Sequence, residues 1–413
     1  MSTLGLIIHR SAHEIGGNCI ELIDVSGSRL ILDVGRPLDA PRGLTGLMPA
    51  TIDLAKSVEG ILISHPHQDH YGLLDEAPAH WPVYCGSAAG KLIGLTASIY
   101  GNGFVRPINH WKSSEPFKLG PFRVTPLLTD HSAFDAYMLL IEVSGKKVLY
   151  SGDFRIHGRK ASLVRRLMET PPEVDVLLME GTNLGSDKPT KSETDLEDEF
   201  VALFRETPGR VFVCWSAQNI DRTVSIYRAC IKTNRTLVVD LYTAEVLELI
   251  SEYGRLPRAG LKNLKVVVTR RFANLYRQKG RENFVDRMAA HGVSAAAIAE
   301  NPRRWVTMIR PSLIDDFSAK GVQPTPDDAW SYSQWKGYLA QPDGMMLQRW
   351  FDQGGAKARH IHTSGHASQA DLQAFSSAIK PRMLVPIHGV AWDSESAGFA
   401  QVCRLRDGEM KMI

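Results

Sequence analysis

Short runs rich in apolar residues recur through the first 190 residues, which is the pattern of short β-strands, and two of the runs have the continuous apolar character of buried strands. Glycine- and serine-rich turns, such as Gly16-Gly17 and Ser26-Gly27-Ser28, separate the first of these stretches. The pattern predicts strands at Leu4–His9, Cys19–Asp24, Arg29–Asp33, Gly60–Ser64, Phe122–Leu128, Tyr137–Val143, Lys147–Ser151 and Val174–Met179. The sequence therefore predicts a β-rich first region.

After residue 190, apolar strands begin to alternate with stretches of helical periodicity. Thr194 and Glu197 have capping-box spacing, and the helix that they would open places Leu196, Phe200 and Leu203 on one face. Alternation of this kind is typical of a parallel α/β layer. Strands are predicted at Val211–Trp215, Leu237–Asp240, Val266–Val268 and Trp305–Ile309, with helices at Asp221–Lys232 and Ala244–Tyr253.

Short apolar runs return near the end of the chain, at Arg359–Thr363 and Met383–Ile387, on either side of a helix predicted at Asp371–Ile379. The simplest layout is one β-rich domain that an α/β insertion interrupts. We therefore predict a core formed by residues 1–190 and 356–413, and an insertion at residues 191–355.

Composition places the 413-residue chain among ordinary globular proteins, because 44% of its residues are apolar and 23% are charged. The net charge of +3 neither requires nor excludes a nucleic-acid partner. The five cysteines form no Cys-x-x-Cys pair, which argues against a disulfide framework and favours a reducing compartment. The start of the chain resembles neither a signal peptide nor an anchor, so we expect a cytoplasmic protein without a membrane partner.

Candidate chemistry begins directly after the predicted strand at Gly60–Ser64. Three histidines and one aspartate lie within six positions there: His65, His67, Asp69 and His70. Imidazole nitrogen and carboxylate oxygen are ligands for zinc, manganese or iron. A solvated histidine-rich loop is the alternative, but the chain has only 14 histidines, which makes such clustering improbable by chance.

Further candidates recur at or just beyond the ends of other predicted strands. His131 follows one strand, Asp153 a second and His388 a third. Each residue alone would be typical of a structural histidine or a turn aspartate. Together with the first motif they would supply seven ligands, enough for two metal sites that share one carboxylate.

These motifs, in this order, resemble those of the metallo-β-lactamase fold hydrolases. Three further motifs narrow the resemblance to the β-CASP nuclease family: Glu180 at a strand end, His366 within Ser364-Gly-His-Ala-Ser368, and His388 within Pro-Ile-His-Gly. The segment Trp215–Arg222 also resembles the strand-to-helix junction that opens the inserted domain of RNase J-like members. The resemblance implies an α/β fold, a metallo-β-lactamase αββα sandwich with an inserted α/β β-CASP domain.

The resemblance also implies roles for individual residues. His65, His67 and His131 would hold one divalent ion, zinc or manganese. Asp69, His70 and His388 would hold a second ion, with Asp153 bridging the two. Glu180 would orient a ligand, and His366 would serve as a proton donor or phosphate ligand. The catalytic residues would then be Asp69, Asp153, Glu180 and His366.

Two features suggest substrate contacts. The segment Ser364, Gly365, His366, Ala367 and Ser368 runs into the helix predicted from Asp371, and backbone N–H groups at a helix start can bind phosphate. Ser368 fits an ordinary N-cap equally well. Arg155 lies two residues after Asp153 and is expected near the metals, where it could contact a polyanion.

The predicted function is metal-dependent hydrolysis of phosphodiester bonds in single-stranded RNA, by a water activated between two ions. Histidine at the position of His388 accompanies RNA-active members of the family. One alternative is a DNA exonuclease of the same fold acting on single-stranded DNA. A second is a small-molecule acyl hydrolase such as a thioesterase or lactonase, and a third is a catalytically silent RNA-binding subunit. Endonuclease or exonuclease action and the oligomeric state stay open.

Overall fold

The computed structural model describes residues 4–41, 43–101, 106–187 and 189–413. These residues form two compact units. The first unit comprises the described residues of 1–94, 104–189 and 365–413, and the second comprises those of 95–103 and 190–364. No helix in the described part of the chain is both long enough and apolar enough to cross a membrane.

The strands of the first unit belong to two sheets. In chain order they are β1 (Leu4–Arg10), β2 (Cys19–Asp24), β3 (Arg29–Leu32), β4 (Gly60–Leu62), β5 (Val83–Gly86), β6 (Ile108–Trp111), β7 (Phe117–Leu119), β8 (Phe122–Leu128), β9 (Tyr137–Val143), β10 (Lys146–Tyr150) and β11 (Val176–Met179). Those of the second unit are β12 (Val211–Cys214), β13 (Thr236–Asp240), β14 (Leu264–Val267), β15 (Trp305–Met308), β16 (Ala329–Tyr332) and β17 (Lys357–Arg359). The chain then returns to the first unit with β18 (Met383–Pro386) and β19 (Met410–Met412).

The α-helices follow the same division, except that α2 contributes residues to both units. They are α1 (Gln68–Tyr71), α2 (Ser87–Tyr100), α3 (Ala161–Glu169), α4 (Glu193–Glu206), α5 (Ile220–Lys232), α6 (Leu241–Leu249), α7 (Arg270–Gln278), α8 (Glu282–Ala289), α9 (Ala295–Glu300), α10 (Pro311–Ser318), α11 (Pro342–Gly354) and α12 (Gln369–Ile379). Short 3-10 helices occur at Ser251–Tyr253, Pro302–Arg304 and Lys336–Ala340.

The first unit is a sandwich of two sheets, ordered β19-β1-β2-β3-β4-β5-β6 and β18-β11-β10-β9-β8-β7. Apolar side chains of both sheets, such as Leu62 and Leu139, form one buried core. Helices α3 and α12 pack on the second sheet, where Val164 and Phe375 join a separate apolar cluster. The α/β class predicted from the sequence is confirmed.

Parallel pairing in both sheets explains how polar residues converge. Strands β3, β4 and β5 run parallel, as do β10, β11 and β18. Asp33 and His65 follow β3 and β4, whereas Asp153, Glu180 and His388 follow β10, β11 and β18. Since parallel strands end at the same edge of a sheet, each set of side chains is gathered at one edge.

The second unit contains a six-stranded parallel sheet, ordered β14-β13-β15-β12-β16-β17. Sequence periodicity predicted β12 to β15, but it missed β16. The predicted strand Arg359–Thr363 is wrong, because β17 covers Lys357–Arg359 and pairs with β16. This pairing keeps the chain in the second unit beyond residue 355, where the predicted insertion ended.

The start of α4 also differs from the prediction. The capping box uses Ser192 and Asp195, two residues before the predicted pair Thr194 and Glu197. Ser192 Oγ accepts a hydrogen bond from Asp195 N at 3.1 Å, and Asp195 Oδ2 accepts one from Ser192 N at 2.7 Å. Aspartate can therefore supply the reciprocal acceptor that the prediction assigned to glutamate.

Candidate metal centre

The histidine-rich segment turns sharply at the end of β4. His65 lies on the loop, and His67 is the N-cap of the short helix α1, which contains Asp69 and His70. His70 N donates a hydrogen bond to His67 O at 2.9 Å, which closes this turn. The one-turn helix therefore divides the four candidate ligands between two neighbouring groups.

The first group consists only of imidazoles: His65, His67 and His131. Their ring centroids lie 4.7 to 5.0 Å apart. Burial, followed by the neighbouring imidazoles, lowers the pKa of His65 and of His131, so both rings are neutral at neutral pH. Neutral imidazole is the form that binds metal ions.

The second group combines carboxylates with imidazoles: Asp69, His70, Asp153 and His388. His70 Nε2 lies 3.0 Å from Asp153 Oδ2, and His388 Nδ1 lies 2.6 Å from Asp153 Oδ1. His388 Nε2 lies 3.5 Å from Asp69 Oδ2. Asp153 also reaches the first group, with Oδ2 3.6 Å from His65 Nε2.

Charge pairing dominates the ionisation of this second group. Burial lowers the pKa of His388, but the Asp153 carboxylate and hydrogen bonds to Asp153 and Asp69 raise it to about 10. Burial also lowers the pKa of His70, and the carboxylates of Asp153, Asp33 and Asp69 raise it well above its ordinary value. Burial raises the pKa of Asp153, but the facing imidazoles hold it well below its usual range.

Glu180 and His366 lie beside these groups. Glu180 Oε1 accepts a hydrogen bond from His366 Nδ1 at 3.2 Å, and its Oε2 accepts one from Thr182 N at 3.0 Å. Burial lowers the pKa of His366, but the carboxylates of Glu180 and Asp153 raise it above its ordinary value. These two carboxylates therefore favour the protonated form of His366.

The residues present fit divalent metal ions. Within each group the candidate ligand atoms lie within 4.8 Å of one another. His65 Nε2 is buried and has no hydrogen-bond partner among the described residues. A buried polar atom without a partner is costly, and a metal ion would satisfy this one. The mixture of imidazole and carboxylate suits zinc or manganese.

Comparison with known proteins agrees with this geometry. A family model described as a beta-lactamase superfamily domain matches residues 38–215. A second model, described as a Zn-dependent metallo-hydrolase RNA specificity domain, matches residues 355–406 and therefore includes His366 and His388.

Several curated relatives are named Ribonuclease J. The chain is 27% identical to the protein from Helicobacter pylori over 399 residues, which cover 91% of this chain and 54% of that relative. It is 24% identical to the protein from Sinorhizobium meliloti over 405 residues, which cover 92% of this chain and 68% of that relative. The chain thus spans about half the length of the H. pylori relative.

The two family models and the curated relatives together support a β-CASP, RNase J-like protein of the metallo-β-lactamase fold. The family inferred from the sequence is therefore confirmed. A solved structure of a protein of unknown function from Enterococcus faecalis V583 matches the whole of both chains with a TM-score of 0.79. Its sequence identity is 19%, so it supports the fold alone.

Most of the predicted phosphate-binding segment, residues 364–368, forms contacts within the fold of this chain. Ala367 is buried and its N–H donates to Phe154 O at 2.6 Å, while Ser368 caps α12 through its hydroxyl. Gly365 O accepts a hydrogen bond from His131 Nδ1 at 2.6 Å. Ser364 is the last residue of the second unit. Of the five residues, His366 is the one whose side chain lies beside the candidate ligands, and Gly365 contacts one of them, His131, through its carbonyl oxygen.

Gly365 is required for space. A Cβ at this position would lie 2.4 Å from Ser132 Oγ, so any side chain would collide with the strand end that carries His131. Close approach of Ser132 and His131 therefore explains the glycine at this position.

Arg155 does not lie on a surface that a polymer could contact. It is completely buried, and its Nε lies 3.5 Å from Asp130 Oδ1. The same aspartate accepts a hydrogen bond from Gly158 N at 2.7 Å. The ion pair therefore fixes the loop after Asp153, and the predicted substrate contact of Arg155 is corrected to an internal one.

Sequence reasoning missed Asp33, which holds the ligand His70. Asp33 Oδ2 accepts hydrogen bonds from His70 Nδ1 at 2.7 Å, from Ser64 Oγ at 2.8 Å and from Tyr150 OH at 2.5 Å. Such a carboxylate fixes the tautomer and orientation of a metal-binding imidazole. The available signal was its position at the carboxyl end of β3, which runs parallel to the strand before His65.

Proposed function

We propose that this chain is a metal-dependent hydrolase that cleaves single-stranded RNA. The observation that carries the proposal is the position of Asp153, which lies close to both groups of candidate ligands. Its Oδ2 lies 3.6 Å from His65 Nε2 and 3.0 Å from His70 Nε2, so one carboxylate is within reach of both groups. This arrangement suits two neighbouring divalent ions, the first held by His65, His67 and His131 and the second by Asp69, His70 and His388.

Two ions bound there would supply Lewis-acid activation of a water and charge stabilisation of a phosphodiester. The side chains of the protein contribute position and a proton. Asp33 fixes His70 through Nδ1, which leaves Nε2, 3.0 Å from Asp153 Oδ2, as the nitrogen that would bind the ion. Glu180 holds His366 through Nδ1 and favours the protonated ring, so His366 is positioned to donate a proton to the leaving oxygen.

RNA as the substrate is supported by the relatives. The curated relatives are named Ribonuclease J, and the family model over residues 355–406 carries RNA specificity in its description. Cleavage of single-stranded DNA is the neighbouring outcome, and the experiment below distinguishes the two.

The test is product analysis on denaturing gels with end-labelled single-stranded RNA and DNA, in the presence of Mn²⁺ or Zn²⁺ and after chelation. We expect RNA to be cleaved only with metal. Replacing Asp69 and His70 together by alanine removes two ligands of the second group, so this variant should lose cleavage.

The matched control replaces Asp75 and His80 by alanine, one aspartate and one histidine that are both exposed in the same unit. This control should cleave as the unaltered protein does. Full cleavage by the Asp69→Ala/His70→Ala variant would contradict the proposal. Cleavage of DNA with RNA left intact would replace RNA by DNA as the substrate.

A further inference from the structure

A pocket of about 520 Å³ lies in the second unit, between α5 and the segment that leads from α6 to β14. Helix α5 contributes Tyr227 and Arg228, and the segment contributes Arg255, Leu256, Arg258 and Leu261. The volume is within the range of small-ligand pockets. The residues that line this pocket include none of the candidate metal ligands.

The charged residues that line this pocket are all positive. Three arginines line it, and no aspartate or glutamate does. Arg255 and Arg258 are exposed and form no ion pair or side-chain hydrogen bond with any described residue. Among the described residues, the one ion-pair partner of Arg228 is distant, since Arg228 Nη1 lies 3.8 Å from Glu197 Oε2. A buried arginine of the same unit is, by contrast, closely paired: Arg210 Nη2 lies 2.7 Å from Asp328 Oδ2.

The remaining walls of the pocket are apolar and held in place. Tyr227 OH donates a hydrogen bond to Lys262 O at 2.7 Å, which ties the ring to the opposite segment. Leu256 and Leu261 line the same space, and Leu261 is 42% exposed. A ligand with a flat apolar part and an anionic part would match both halves of the pocket.

We propose that this pocket binds a nucleotide. Its phosphate would pair with Arg255, Arg258 and Arg228, because guanidinium groups bind phosphate oxygens through two parallel hydrogen bonds. Its base would lie against Tyr227, Leu256 and Leu261, as bases do on aromatic and apolar surfaces. The nucleotide is either free or part of a single strand, and the proposal does not depend on the metal centre.

The test measures binding of AMP by calorimetry and of a labelled oligouridylate by fluorescence anisotropy, using the full chain with EDTA so that no hydrolysis occurs. The pocket variant is Arg255→Glu with Arg258→Glu. The matched control is Arg270→Glu with Arg277→Glu, which makes the same change in charge on exposed positions of α7 in the same unit. Unfolding temperatures of both variants are compared with that of the unaltered protein.

We expect the pocket variant to bind its ligand at least about tenfold more weakly, and the control to change affinity by less than about twofold. If AMP binds and the pocket variant loses it, a free nucleotide suffices. If only the oligouridylate binds and the pocket variant loses this binding, the site takes a strand. The slope of log K against log salt concentration should then be smaller for the pocket variant by the equivalent of about two phosphate contacts.

Three outcomes would overturn the proposal: no binding of either probe, equal weakening by the pocket and control variants, or displacement of the bound probe by an acidic peptide as readily as by AMP. Hydrolysis by the metal centre is measured separately with Mn²⁺. A failure of the pocket is therefore distinguishable from a failure of the proposed ribonuclease activity.

Discussion

Both units bury charged side chains, and a comparison of their partners separates structural from chemical roles. In the second unit, Arg222 Nη2 lies 3.1 Å from Glu193 Oε1, and Arg210 Nη2 lies 2.7 Å from Asp328 Oδ2. Each of these charges meets an opposite charge. In the first unit, buried imidazoles face one another, and His65 Nε2 has no hydrogen-bond partner in the described part of the chain.

The partners of a buried polar group therefore indicate whether its role is structural or chemical. A buried ion pair in which each charge faces an opposite charge has a structural role, because removing one partner leaves the other charge buried without compensation. A cluster of neutral imidazoles that includes a nitrogen without a hydrogen-bond partner adds little to the stability of the fold. Such a cluster is a candidate binding site for a ligand. The variants below alter each kind of cluster, and we expect activity and stability to respond separately.

The largest effect should follow from Asp153→Ala, which removes the carboxylate that reaches both ligand groups. We expect RNA cleavage to fall by about a thousandfold or more, because the activated water and the proton donor depend on this arrangement. Bound metal per chain, measured by elemental analysis, should fall as well. Unchanged metal content in this variant would contradict the shared role of Asp153.

The buried ion pair Arg222–Glu193 of the second unit should show the opposite result, a loss of stability without a loss of metal. Arg222→Met leaves Glu193 buried without its partner and should lower the free energy of unfolding by about 3–5 kcal/mol. Metal content should not change. Urea unfolding measures the first quantity and elemental analysis the second.

The double variant Arg222→Met/Glu193→Met provides the control for this prediction. It removes both charges and should recover most of the lost stability, since apolar residues can replace a buried ion pair. If the double variant were as unstable as the single one, packing rather than charge would explain the loss.

A smaller effect is expected from Tyr150→Phe. Burial, then the Asp33 charge, raises the pKa of Tyr150 well above its ordinary value, so its hydroxyl stays protonated and donates to Asp33. Without this hydrogen bond Asp33 holds His70 less firmly, and metal affinity should weaken by about tenfold. Competition with a chromophoric chelator measures the affinity, with Tyr84→Phe as the matched control.

The smallest effect concerns Glu21, which is paired with His9 and Arg29 in the first unit. This cluster tests whether charge pairing, rather than location in the first unit, decides if a substitution changes stability or metal binding. Burial raises the pKa of Glu21, but hydrogen bonds from His9 and Arg29 lower it below its ordinary value of 4.5. A lowered folded-state pKa adds stability above the ordinary value, and this stability is lost as the pH falls through the folded-state pKa. Unfolding experiments across this acidic range should show a shallower pH dependence for Glu21→Gln, with metal content unchanged at neutral pH.

Most of the candidate metal ligands could be predicted from the sequence, because many of them lie at or just beyond the ends of strands. His65, Asp153 and His388 each follow an apolar run, and parallel pairing gathers residues at such positions. Asp33 could not be singled out in the same way, since an aspartate near a glycine is also typical of a turn. Its role depends on Tyr150, which is far away in the sequence.

Other features depend on long-range contacts that periodicity does not contain. Ala367 gives its N–H to Phe154 O, and Arg155 turns inward to Asp130, so neither serves the predicted phosphate contact. Strand β17 is short and exposed, and it takes its identity from pairing with β16. The cytoplasmic location expected from the sequence stays a prediction.

The most direct measurement is anomalous diffraction at the zinc absorption edge from crystals of the metal-loaded protein. The account predicts two peaks about 3.5–4 Å apart, one among His65, His67 and His131 and the other among Asp69, His70 and His388, with Asp153 between them. A single peak outside these groups, or none in saturating zinc, would contradict it.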